Sequence, residues 1–209
     1  MIPLSGSLKT FLCILFLVTV PGKDNVRAQD SPRKVSLSVV VDSEAEDAAI
    51  ANAAMEAIAF ASKVFEEKFQ DEFVTATIES KNLYPGEDTK EIKIVFQDAQ
   101  QIARQNKKDI TLVFSTRFLF GYTSEQIDGE WEFIKTAAYG NAMLLGNAAV
   151  IQVNQSMNRT TLHELLHLFG ADDIHGGAED SIMRTRESEK IDEKSHEIVL
   201  KNRDRSFEK

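Results

Sequence analysis

Three residues in the stretch Thr161–His175 have the types and spacing for metal chemistry: His163, Glu164 and His167. On a helix, residues four apart share a face. Both imidazoles can therefore reach one metal ion, and the Glu164 carboxylate, beside the first histidine, can reach a water held there. Leu162, Leu165, Leu166 and Leu168 give the same helix an apolar side to bury. Gly170 follows His167 by three residues and is placed to end the helix in a positive-φ turn. Such a turn returns the chain towards the metal. Asp173 is then the preferred third ligand, with His175 as the alternative if the turn is longer; zinc accepts oxygen or nitrogen. Glu187, twenty residues after His167, could also supply a carboxylate to a metal, but Gly170 and Ser181-Ile182-Met183 argue against that reading.

The run His163-Glu-Leu-Leu-His-Leu-Phe-Gly-Ala-Asp-Asp173, followed by Ser181-Ile182-Met183, resembles the metzincin clan of zinc metallopeptidases. That clan carries HExxHxxGxx(H/D) and a Met-turn. The aspartate form is similar to the snapalysin-type branch and related bacterial secreted proteins. By motif the resemblance covers 163–183; by element order it covers most of the chain. It implies one catalytic Zn2+ on His163, His167 and Asp173 (or His175), with Glu164 as general base. It implies Met183 as a hydrophobic floor, not a ligand, and a peptide substrate added to an edge strand around Thr136–Gly140. Two departures stand out: most of the clan has His where this chain has Asp173, and no Tyr follows Met183. The expected function is a secreted zinc-dependent metalloendopeptidase. The alternative is a zinc-stabilised secreted binding protein with a peptidase fold and no physiological proteolysis. The intact His163, Glu164 and His167 favour the enzyme.

The elements that must hold this stretch can be read ahead of it. Val35–Val41 predicts a buried strand. Ser43 and Glu46 are spaced as a capping box for a long helix, whose stripe runs Ile50, Ala54, Ala57, Ile58, Ala61, Val64, Phe65, Phe69. Phe73–Glu79 predicts a second strand, and Tyr84-Pro85-Gly86 a turn. Asp88 and Glu91 offer another box, before a stripe from Ile92 to Ala103. Ile110–Phe114 predicts a third strand, Phe118–Glu132 a loop, Lys135–Gly140 a short edge strand and Asn147–Val153 a further buried strand. Asn154 and Asn158 head Asn-X-Ser/Thr tripeptides, read as turn and cap chemistry, with Asn158 or Thr160 capping the histidine helix. Residues 184–209 are densely charged and predict one C-terminal helix or tail with a thin apolar face at Ile191, Ile198 and Val199; His196 on it reads as a surface residue. The sum is an α/β (α+β) sandwich: a mixed, mostly parallel twisted sheet with an antiparallel edge strand, two packing helices, an active-site helix and a C-terminal helix.

The chain has 209 residues, 43% hydrophobic and 27% charged, which suits one ordinary domain. Lys9, the apolar run Phe11–Val20, the breaker Pro21-Gly22 and Val26-Arg27-Ala28 predict a signal peptide over 1–28, leaving 29–209 as a single domain that is secreted or periplasmic, with no stable membrane anchor. Formal net charge is −9, and loss of 1–28, with three basic residues and one acidic, makes the mature chain two units more negative. That sign disfavours nucleic acid and anionic membrane surfaces as partners. Cys13 is the only cysteine and lies in the apolar run, which excludes thiolate chemistry, cysteine-ligated zinc and disulfides from the mature chain.

Overall fold

The computed structural model describes residues 31–44, 48–127, 130–175, 180–184 and 188–207. The expected signal segment 1–28 and Glu187 lie outside these residues, as does Glu46 of the first capping box.

Four strands form the parallel body of the main sheet: β1 (Arg33–Asp42), β2 (Asp71–Lys81), β4 (Ile110–Ser115) and β8 (Ala148–Gln152). The short strand β7 (Gly140–Ala142) pairs antiparallel with β8, giving the order β2-β1-β4-β8-β7. The central strands read as near-continuous apolar runs because both faces are covered. Val35, Leu37, Val39, Val41, Ile110, Leu112, Phe114, Ala149 and Ile151 face one core. Val40, Val113, Ala148 and Val150 face the other.

Helix α1 (Ala48–Phe69) covers the first face with Ala54, Ala57, Ile58, Ala61, Phe65 and Phe69, the stripe its spacing predicts. Helix α2 (Ile92–Asn106) covers the opposite face with Ile92, Val95, Ala99 and Ala103. Opposite faces follow from direction. The chain moves outward from β1 to β2 and then back past β1 to β4, and right-handed crossovers in opposite directions place their helices on opposite sides. Helix α3 (Met157–Leu168) returns to the α1 side and packs on α1, β8 and β7. Helix α4 (Glu193–Asn202) closes that side, and Val199 and Phe207 are buried in the α1/α3 core. His196 stacks on Phe69 at 5.2 Å between ring centroids.

The region between β4 and β8 differs from the expectation. Phe118–Glu132 is not a loop, and Lys135–Gly140 is not the edge strand. Instead β5 (Phe118–Ile127) and β6 (Glu130–Ala137) pair antiparallel, and β3 (Thr89–Glu91) joins β5 to make a separate three-stranded sheet. Leu119 anchors it in the α2 core. The main-sheet edge is therefore Gly140–Ala142, a few residues later than expected. The second capping box is also absent: Thr89–Glu91 is committed to the β3 ladder, and Glu91 makes no side-chain cap to α2. Arg117, just beyond β4, is buried against Asp42 at 3.1 Å and reaches Asn82 Oδ1 at 2.6 Å. It ties the loop after β2 to the sheet.

Candidate metal centre

Helix α3 starts at Met157, earlier than Asn158 or Thr160 would allow, with Ser156 at its N-cap. Asn154 explains the early start: its Oδ1 accepts the Ser156 N–H at 2.7 Å and folds the chain into the first turn. The helix ends as the glycine predicts. Gly170 has φ +94°, its N–H donates to His167 C=O at 2.8 Å, and the Ala171 N–H donates to Leu166 C=O at 3.1 Å. These are the two bonds of a Schellman motif. The end of α3 is also capped from afar: Asn202 Nδ2 donates to Phe169 C=O at 3.0 Å and Arg205 Nη1 to Leu168 C=O at 2.6 Å.

That turn does more than stop the helix. It brings Ala171 C=O back onto His167, whose Nδ1–H donates to it at 2.7 Å. The His163 Nδ1–H donates to Ile182 C=O at 2.9 Å. Each bond fixes its neutral ring in the tautomer whose Nε2 carries a lone pair. The two Nε2 atoms are 3.1 Å apart. Asp173 Oδ1 lies 3.4 Å from His163 Nε2 and 3.7 Å from His167 Nε2. With those tautomers, three electron-pair donors converge on one point, an arrangement suited to a cation. In a tetrahedral zinc site, with bonds of about 2.0–2.1 Å, donor atoms stand about 3.3 Å apart. The donors present fit that ion in type and in spacing.

Glu164 is buried beside them, and its carboxylate lies with the two imidazole nitrogens within 4.8 Å of one another. The Asp173 side chain is half-exposed, on the open side of the group. His175 is exposed and, together with Asp172, Asp173, Lys194 and Ile198, lines a cavity of about 460 Å³. Asp173 Oδ1 thus stands within 3.7 Å of both histidine Nε2 atoms, and Asp173 also lines the cavity that His175 lines.

The Ser181–Arg184 turn is held as firmly as the helix. Ser181 Oγ donates to Asp192 Oδ2 at 2.6 Å and accepts the Met183 N–H at 3.1 Å. Asp192 Oδ1 in turn accepts the Ser195 N–H and caps α4. Burial alone would raise the Asp192 carboxyl, but the hydrogen bonds from Ser181 and Ser195 outweigh it and hold the carboxyl below its usual range. The Ile174 N–H donates to Met183 C=O at 2.9 Å, so the Asp173 segment and the turn are one unit. Met183 is buried in the α1/α3 core.

Gly140, at the start of β7, touches the site from the other side. A Cβ at this position would overlap Glu164 Oε1 and lie 2.8 Å from its Cγ and Cδ. Spacing within the histidine stretch could not reveal Gly140, Ile182, Ser181 or Asp192. Two of the contacts, Ala171 and Ile182, are made by backbone carbonyls, which carry no residue signature.

No family model matches the sequence, and no curated protein matches it. Solved structures do. The metalloproteinase-II of Bacteroides fragilis is similar over 82% of this chain and 53% of its own, at TM-score 0.56 and 15% identity. Archaemetzincin from Methanopyrus kandleri is similar over 86% of this chain and all of its own, at TM-score 0.56 and 15% identity. A chaperone–substrate complex is similar over 82% of this chain and 38% of its own, at TM-score 0.55 and 10% identity. The chain thus spans about half the length, or less, of two of these three structures. The likeness is one of fold, shared with the Bacteroides fragilis metalloproteinase and the Methanopyrus kandleri archaemetzincin.

Proposed function

We propose that this chain is a secreted zinc-dependent metalloendopeptidase of the metzincin kind, closest in motif to the branch with aspartate as third ligand. One observation carries the reading: His163 Nε2, His167 Nε2 and Asp173 Oδ1 converge within 3.7 Å of one another, with a buried Glu164 alongside. His163, His167 and Asp173 hold the single ion, and Ile182 and Ala171 aim the two rings at it through their carbonyls. Zinc, when bound, supplies Lewis acidity towards a water and the scissile carbonyl. Glu164 accepts the proton of the attacking water at its carboxylate and delivers it to the departing amine. Met183, in the turn that His163 grips, gives the site its apolar floor.

Peptide binding falls to β7 rather than to the Thr136–Gly140 segment. Among the described strands β7 pairs only with β8, so its outer edge is open. Tyr139 C=O accepts the Gln152 N–H at 2.8 Å, so the next amide, that of Gly140, points away from β8. A substrate strand can add there and pass beside Glu164. Export follows the segment 1–28, with cleavage after Ala28.

The test is peptide-library digestion with and without chelator, for the zinc-loaded protein and for Glu164→Ala. The variant should bind zinc as the parent does and lose at least a hundredfold in turnover. Undiminished cleavage by Glu164→Ala would remove the assigned base. Zinc binding by the parent without cleavage of any peptide would favour a binding protein.

A further inference from the structure

The histidines and Glu164 lie on one helix, but the place the carboxylate occupies is made by a different element. Gly140 lies at the start of β7, and the position of its absent side chain is filled by Glu164: Oε1 overlaps it, and Cγ and Cδ lie 2.8 Å away. The usual reason for a glycine does not apply. Among the described residues the positive-φ glycines are Gly86 and Gly170, so the Gly140 backbone is one that any L residue adopts. Nor is the obstacle a rigid one, since the three atoms nearest to such a Cβ all belong to the Glu164 side chain. A methyl group at 140 can therefore be accommodated if Glu164 rotates, and that rotation moves the carboxylate. Glu164 is 2% exposed, so few other positions are open to it.

We infer that Gly140 is a positioning residue for the Glu164 carboxylate: the bare edge strand gives the proposed base its seat beside the metal ligands. This rests on the peptidase reading above. Two consequences separate it from an ordinary packing role. The fold should tolerate Gly140→Ala while turnover does not. The effect of the substitution should also depend on the Glu164 side chain, because truncating Glu164 at Cβ removes the three nearest atoms in the way.

The experiment compares the protein with Gly140→Ala, Glu164→Ala and the double variant. It reads zinc content, the melting temperature of the metal-free form, and kcat and KM on a peptide substrate. Gly140→Ala is expected to bind one equivalent of zinc and to lose tenfold to a hundredfold in kcat with KM within threefold. It should melt a few degrees lower than the parent, and that loss should vanish when Glu164→Ala is also present. Should the single variant fail to fold, the double variant is expected to fold, for the same reason. Unchanged kcat in Gly140→Ala, or an equal melting loss with and without the Glu164 side chain, overturns the inference. If Glu164→Ala itself keeps full turnover, the general-base reading fails and this inference with it; an inactive Glu164→Ala beside a fully active Gly140→Ala means that the positioning alone is wrong.

Discussion

His163 and His167 reach the same point because each ring is held at its far nitrogen by a carbonyl from outside the helix. Ile182 holds one and Ala171 the other. Such outer contacts orient a ligand and raise its basicity, and their loss costs about 10–100-fold in metal affinity. Direct ligands should cost at least as much. Asp173→Ala is therefore expected to weaken zinc binding by at least tenfold, measured by competition with a chromogenic chelator, while His175→Ala leaves it within twofold. The reverse result would make His175 the third ligand. At this scale the sequence was informative wherever the geometry is local: four residues along a helix place His163 and His167 together, and three more place Gly170 at the turn. It was silent where a contact spans distant elements. Nothing about Gly140 in the sequence points to Glu164, because the glycine is demanded by a neighbour and not by its own backbone.

Among the elements, the clearest mismatch is the β5–β6 hairpin. Gly121 and Gly129 suggested a loop. The signal overlooked was the Asp128-Gly129 dipeptide between two alternating stretches, a strong hairpin marker. Those two residues lie outside the described set, but the strands on either side pair in register from Phe120–Ala137 to Ile127–Glu130. The hairpin exposes Tyr122, Trp131 and Phe133. An exposed aromatic strand gives no in–out contrast by which burial could be read. The central strands were legible because both faces are buried, so they read as near-continuous apolar runs. A second element-level feature links α4 to the metal centre. Asp192 caps α4 and also binds Ser181, which sets the turn that supplies Ile182 C=O. Asp192→Ala should cost about 2–3 kcal/mol of stability, from a lost cap and a buried hydroxyl left without its acceptor. It should also weaken zinc binding several-fold, whereas a cap at an unconnected helix would not. Chemical denaturation and chelator competition on the same variant check both halves.

At the scale of the molecule, the first strand and the segment after α4 are clasped together. Arg33 donates to the Arg203 and Arg205 carbonyls and lies over the Phe207 ring. Asp71 is fully buried beside this clasp, 3.6 Å from Arg203 Nε, and neither carboxylate oxygen has a hydrogen-bond partner. Burial raises its pKa to about 6, only partly offset by Arg33 and Arg203. A carboxyl raised in the folded state binds its proton more tightly there than in the unfolded chain. Its contribution to stability therefore falls as pH rises from about 4 to about 6 and is flat above that. Denaturation at a series of pH values should show the parent gaining on Asp71→Asn as the pH is lowered through this window, by on the order of 2–3 kcal/mol. Equal pH dependence in both proteins would remove Asp71 from the account.

The clasp also orders events in time. Arg33 leaves the ribosome well before Arg203, Arg205 and Phe207, and so do His163, Glu164 and His167. While the chain is still being made, the histidine helix exists without Asn202 and Arg205 at its end and without Asp192 behind the turn. The residues that carry the chemistry are thus delivered first and the residues that brace them last. A nascent chain would hold the proposed metal centre without these braces until synthesis had passed Phe207.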